Sequence, residues 1–278
     1  MLKKLLGIAP GLESDNSYSP SKLALKLATV DKTDFDETRY TQYRGKRSKV
    51  LVICTEQKNM MMQNGKLFST GNHPVETLVP MLHLKNAGYD FEIATPTGKP
   101  VVFETWAFPG KDEQIKSLHD KYASSFSQPK NLQVLAGEIL PDPECYAAVF
   151  IPGGHGAMLG IPEDENVQHE NELFTVTLCH GPAALLATTL GGQDFLYAGY
   201  NMAVFPHSVD KMTPKIGYLP GQVPWALSEK LTALGARIAN SKADDTVCLD
   251  RKLITGASPD AANELGKLAA RTLLKELQ

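Results

Sequence analysis

The four cysteines of this 278-residue chain, Cys54, Cys145, Cys179 and Cys248, include no CxxC pair. That argues against a zinc module and against a dense disulfide framework. HExxH is missing as well, so no strong metal-binding pattern stands out. Neither GxxxxGKS nor GxGxxG occurs, and no phosphate-cradling loop is legible. No apolar window approaches the ~20 residues that cross a bilayer. The opening run MLKKLLGIAPGL is short and broken by Lys, Gly and Pro, so a signal peptide is not expected. Charge of one sign is also lacking. With 28 basic and 31 acidic residues the net charge is −3, which gives no electrostatic basis for gripping nucleic acid or an anionic membrane. No internal repeat or low-complexity segment appears. Scattered cysteines in apolar surroundings suit a reducing compartment, and a cytoplasmic location is the expectation.

What is present reads as an α/β protein. Hydrophobic residues make up 42% and charged residues 21%, ordinary for a globular chain able to bury a substantial core. Residues 1–47 read as a polar N-terminal arm with one short helix near Lys22–Leu27, part of a small subdomain. Residues 48–278 read as the main α/β domain. Its strands are expected at Lys49–Cys54, Tyr89–Ala94, Tyr146–Ile151 and Tyr200–Phe205, with a closing hairpin at Val247–Leu249 and Lys252–Thr255. Helices are expected at Pro74–Ala87, Pro224–Leu234 and Ala261–Leu277. Strand, helix, strand in sequence implies a parallel sheet. Turn-rich residues 95–142, with a helix near Asp112–Phe126, read as an inserted lid or small subdomain outside the core sheet.

The chain is organised around Phe174–Ala187, FTVTLCHGPAALLA. A β-branched, aromatic run gives way to Pro182 and a helix-favouring stretch, so Cys179-His180-Gly181 must form a sharp strand-to-helix turn. Such a turn lifts one side chain above the sheet and aims backbone N–H groups at it. Both effects favour a thiolate, which points to Cys179 as a nucleophile. The GGHG loop (Gly153, Gly154, His155, Gly156), Asp210 and Glu76 fall at the same sheet edge. Each has a plainer reading. Glu76 stands where a capping box places its N3 acid, with Pro74 at N1. His180 is adjacent to Cys179, and adjacent side chains on a turn diverge. Asp210 fits a solvated loop, and GGHG fits a tight turn. Taken singly, His73, His83, His119 and His155 read as loop or surface histidines.

Five stretches carry a resemblance: NGKLFSTGNHPVET at 64–77, VFIPGGHGAM at 149–158, VTLCHGPAALLA at 176–187, DKMTPKIGYLPG at 210–221 and RKLITGASPDAANELGKLAA at 251–270. From Tyr43 onward the chain resembles the Hsp31/HchA branch of the DJ-1/PfpI superfamily. The resemblance implies a flavodoxin-like parallel sheet sandwiched by helices, with a small added subdomain, in a homodimer. It implies a glutathione-independent glyoxalase III and deglycase, needing no cofactor, that acts on α-oxoaldehydes and glycated protein. Nucleic acid enters only as a glycated substrate. It also implies a holding chaperone for unfolded clients. By motif, Cys179 is the nucleophile, His180 and Asp210 complete a triad, and Glu76 is the carboxylate beside the thiol. Gly153, Gly154 and His155, with the His180 amide, supply the oxyanion or substrate-binding groups. Positions aligned with a known metal site in the family read Lys85, Asp90 and Tyr122, so no metal is expected there. The connection 157–173 is short for a full crossover helix.

Two other readings compete. One is a chaperone whose thiol senses redox state. The other is a cysteine peptidase or amidase, against which stands the lack of a His-x-Glu pair after Cys179.

Overall fold

The computed structural model describes residues 6–139, 145–167 and 173–277. Along the chain the strands are Gly11–Leu12 (β1), Ser17–Ser19 (β2), Lys49–Ile53 (β3), Asn59–Met61 (β4), Leu67–Ser69 (β5) and Asp90–Thr95 (β6). Then come Lys130–Asn131 (β7), Tyr146–Ile151 (β8), Phe174–Leu178 (β9), Asn201–Met202 (β10), Arg237–Ile238 (β11), Val247–Asp250 (β12) and Leu253–Gly256 (β13). Seven of them form the central sheet in the order β12-β13-β9-β8-β3-β6-β7. Only the β12–β13 hairpin is antiparallel.

The apolar run of β3 is covered on both faces. Val50 and Val52 join one core cluster, with residues of helices Pro74–Asn86, Glu113–Ser127 and Ala262–Leu277. Leu51 and Ile53 join another, with Leu132 and Leu135 of the Leu132–Ile139 helix and with Ala184 and Ala187. Alternate side chains point to opposite faces, so a continuous apolar strand is what a two-sided layer requires. Helix Pro74–Asn86 begins with Pro at its first position and is buried on every side from Pro74 to Leu84, not along one stripe only. Its contact with helix Ala262–Leu277 is close: a Cβ on Gly266 would lie 3.0 Å from the Cα of Pro80.

Several elements differ from the sequence reading. Within 95–142, β7 pairs in parallel with β6 and extends the central sheet, where no sheet strand was expected. Ile115, Leu118, Tyr122 and Phe126 of the expected helix join the main core. A two-residue strand is too short to announce itself by periodicity. The stretch 200–205 yields only β10, which pairs with β11 outside the central sheet. The helix after Cys179 is a 3₁₀ helix, Gly181–Gly192, interrupted at Leu190 and Gly191. The 157–173 connection carries 3₁₀ turns at His155–Met158 and Glu165–Val167. Residues 168–172 of it lie outside the described residues.

The arm is laid on the core by specific bonds. Strands β1 and β2 join β5 and β4 in a small sheet. Helix Lys22–Ala28 is capped by Ser21, whose hydroxyl accepts from the Ala24 amide at 3.1 Å. Thr33 donates its amide and hydroxyl to Asp112, and the Tyr43 amide donates to the Ala87 carbonyl.

Candidate active site

Strand β9 ends at Leu178, and Cys179 follows with φ of +57°. A side chain rarely adopts this left-handed backbone, so surrounding bonds must hold it. They do: the Cys179 amide donates to the Gly256 carbonyl at 2.9 Å, and its carbonyl accepts from the Phe205 amide at 2.9 Å. The sharp turn lets neighbouring side chains converge instead of diverging. Cys179 Sγ lies 3.3 Å from His180 Nδ1. His180 Nε2 donates to Asp210 Oδ2 at 3.0 Å. With Nε2 carrying the proton, the neutral ring presents Nδ1 as an acceptor to the thiol.

Asp210 is buried at the end of the short helix His207–Asp210, not solvated in a loop. Its other oxygen accepts from His155 Nε2 at 3.0 Å. His155 is 4% exposed, so its reading as a loop or surface histidine is corrected; it lines the cavity beside Cys179. Its motif follows a strand ending in glycines, and nothing local shows that the ring turns inward. The two imidazoles outweigh burial and hold the Asp210 carboxyl well below its usual range. Burial, then the His180 charge, pushes His155 down.

Glu76 is fully buried. The capping-box reading does not hold, because the His73 amide donates to the Gly153 carbonyl at 3.0 Å and leaves the carboxyl uncommitted. Neither Glu76 oxygen has a full hydrogen bond among the described residues. The carboxyl instead borders the Cys179 thiol and the Gly154 amide closely enough for both to act on it electrostatically. Gly153 makes this approach possible: a Cβ there would sit 2.3 Å from Glu76 Oε2 and 2.8 Å from Cys179 Cβ. Burial pushes Glu76 well above the usual carboxylate range. Burial raises the Cys179 thiol too, and the facing Glu76 charge adds to that. The expectation that the turn by itself favours a thiolate is thereby corrected: desolvation outweighs it. Protonating Glu76 removes the repulsion and sets an O–H donor at the sulfur.

Cys179, His180, Glu76, Gly154 and His155 line a partly open cavity of about 340 Å³, with Glu104, Tyr218 and arm residues Leu27 to Val30. A larger recess of about 600 Å³ shares His73 and Asp260 with it but contains no thiol. Sequence reasoning missed Glu104. The one signal was a lone acid in the apolar stretch VVFETWAF. Three ligand-type atoms of His155, His180 and Asp210 lie within 4.8 Å of one another, and the hydrogen bonds above account for the cluster.

No protein-family model matches the chain. Relatives match throughout. The protein/nucleic acid deglycase HchA of Pseudomonas aeruginosa is 45% identical over 276 residues, covering 96% of this chain and 94% of the relative. The chain belongs to the HchA family. HchA of Escherichia coli O1:K1 is also 45% identical, over 270 residues, covering 95% and 94%. The fold is shared with glyoxalase III of Candida albicans, with a TM-score of 0.60 at 22% identity, covering 81% of this chain and 98% of that one. In this HchA-family chain Asp90 is engaged by the Lys85 ammonium at 3.1 Å and by the Tyr122 hydroxyl. His83 has both ring nitrogens in use, with Tyr40 and with Asn263 at 2.8 Å each.

Proposed function

We propose that the chain is a glutathione-independent glyoxalase III and deglycase acting through Cys179. The observation that carries this reading is the Cys179 thiol enclosed between His180 Nδ1 and the Glu76 carboxyl in a cavity sized for a small substrate. The HchA relatives and the glyoxalase III fold neighbour support it.

The chemistry balances without a cofactor. The Cys179 thiol gives its proton to His180 Nδ1 as sulfur attacks the aldehyde carbon of methylglyoxal. The imidazolium returns that proton to the new oxyanion, which the Gly154 amide steadies, and a hemithioacetal results. One proton then leaves the former aldehyde carbon, the neighbouring carbonyl oxygen gains one, and the reverse exchange leaves a thioester. Water cleaves the thioester to lactate and restores the thiol. A glycated amine or guanidine follows the same path, with the nitrogen leaving as the thiol adds. Glu76, protonated because it is buried, serves as the proton donor to substrate oxygen.

A homodimer in the cytoplasm that also holds unfolded clients is part of the same proposal. Exposed Leu12 and Met61, on edge strands β1 and β4 of the small sheet, offer apolar surface for such contacts. Among the described residues no helix is long and apolar enough to cross a membrane.

The test is D-lactate formation from methylglyoxal without glutathione. Wild type should form it, and Cys179→Ala should not. A wild type that forms none while suppressing client aggregation would replace this reading with the chaperone one.

A further inference from the structure

Glu104 is a buried carboxyl of the cavity that the chemistry above leaves idle. It is 1% exposed, and it lines the same 340 Å³ space as Cys179, Glu76 and His155. Its placement is built, not incidental. The Glu104 amide donates to the Asn72 carbonyl at 3.0 Å, and the Asn72 amide donates to the Val102 carbonyl at 2.8 Å. The Asn72 side chain is itself pinned by bonds to Thr55 and Val102. This zips segment 102–104 to the loop that feeds the Glu76 helix. Thr70 donates its hydroxyl to Glu104 Oε1 at 2.7 Å. Oε2 is buried with no hydrogen-bond partner among the described residues.

The two cavity acids are held in parallel fashion. The Gly154 amide acts on Glu76, and the next amide, that of His155, acts on Glu104. One short loop therefore faces both carboxyls with consecutive N–H groups. A buried carboxyl oxygen without a partner is costly unless something in the working protein meets it. Beyond the His155 amide, what this cavity offers Glu104 is a substrate held at the Cys179 thiol.

We propose that Glu104 is the base that takes the proton from the former aldehyde carbon of the Cys179 hemithioacetal. This rests on the glyoxalase reading. As the Glu104 carboxylate accepts the proton, the C–H electron pair forms a C1=C2 double bond. The C2 carbonyl π pair moves to its oxygen, which receives the Glu76 proton, and an enediol thioether results. The exchange then runs back. Glu104 returns its proton to C2, and Glu76 takes the C1 hydroxyl proton as the thioester carbonyl forms. Both carboxyls end as they began, and no oxidant or reductant is used.

The acidities suit these assignments. Burial raises Glu104 to about 7, with the His155 charge, the Thr70 hydroxyl and the His155 amide pulling it partly back. Glu76 is raised well above its usual value. Glu104 is therefore placed to exchange a proton near neutral pH, and Glu76 holds its proton more firmly than an ordinary carboxyl does. The titratable groups lining the cavity with Glu104 are Glu76, His73, His155, Cys179, His180, Tyr218 and Asp260, and no Lys or Arg among the described residues lines it.

The test compares wild type, Glu104→Gln and Glu104→Asp with methylglyoxal across pH 5–9. Wild type should show kcat/KM rising with pH through a limb near 7. Glu104→Gln keeps an acceptor for Thr70 but cannot take a proton. Its kcat should fall on the order of 100-fold or more, with KM little changed and the limb lost. Iodoacetamide labelling of Cys179 should persist and show an intact pocket. Glu104→Asp should keep a limb at reduced rate. The deuterium isotope effect with methylglyoxal labelled at the aldehyde carbon should increase in Glu104→Gln. A Glu104→Gln enzyme within threefold of wild type, or one retaining the limb, overturns the proposal and leaves the glyoxalase reading standing. A wild type that forms no lactate overturns both.

Discussion

His155 and His180 lie ring against ring, with centroids 4.0 Å apart and planes tilted by 32°. Each donates to a different oxygen of the one buried Asp210 carboxylate, at 3.0 Å in both cases. The carboxylate orients the His180 imidazole beside the thiol, and the second imidazole occupies the oxygen that would otherwise be buried without a donor. On the reading proposed above, His155 acts as a positioning residue for His180.

Replacing His155 with Ala should therefore weaken two things at once. Stability should drop by about 1–3 kcal/mol, the cost of leaving a buried acceptor unsatisfied. Turnover should fall through kcat with KM near wild type, because Asp210 loses its second donor and His180 the ring packed against it. Thermal unfolding and steady-state kinetics measure both. A His155→Ala protein with unchanged Tm and unchanged kcat would show that Asp210 needs only one partner.

Gly153→Ala tests the approach of Glu76 to the thiol. A methyl group there would lie 2.3 Å from Glu76 Oε2 and 2.7 Å from the Leu178 carbonyl, so carboxyl and turn must move apart. An ångström of misplacement can cost on the order of 100-fold in rate. Lactate formation should fall by that order while the circular dichroism spectrum stays native. Activity near wild type would mean that Glu76 need not face the sulfur.

The buried Glu76 carboxyl makes stability depend on pH in a definite direction. Unfolded, it titrates near 4.5; folded, it titrates well above that. Between those values the native state holds a proton that the unfolded chain has released, so stability falls as pH rises through the window. Glu76→Gln removes this loss. Its Tm should gain on wild type progressively as pH is raised above about 4.5. A difference that stays flat from pH 4 to 8 would show that the carboxyl is not held protonated.

Much of this protein was legible locally. The run Val50–Ile53 is apolar at successive positions, which only a strand covered on both faces tolerates, and it lies inside the sheet between β8 and β6. Pro182 after Cys179-His180-Gly181 forced a turn there, and Cys179 carries the left-handed φ such a turn needs. Strand β7 escaped notice because two residues carry no period, and its place beside β6 is decided by pairing, not by composition.

By itself the sequence determined the main strands and helices, the turn that presents Cys179, and kinship with a family through long contiguous motifs. Those properties are encoded in neighbouring residues. Tertiary structure alone decided what each polar side chain does. His155 meets Asp210 across 55 positions of chain, and Glu104 meets Thr70 across 34. Whether an acid caps a helix or stands protonated beside a thiol depends on which chain segments close over it. Folding alone brings those segments together, and the desolvation that sets the acidity of Glu76, Glu104 and Cys179 exists only once they have closed.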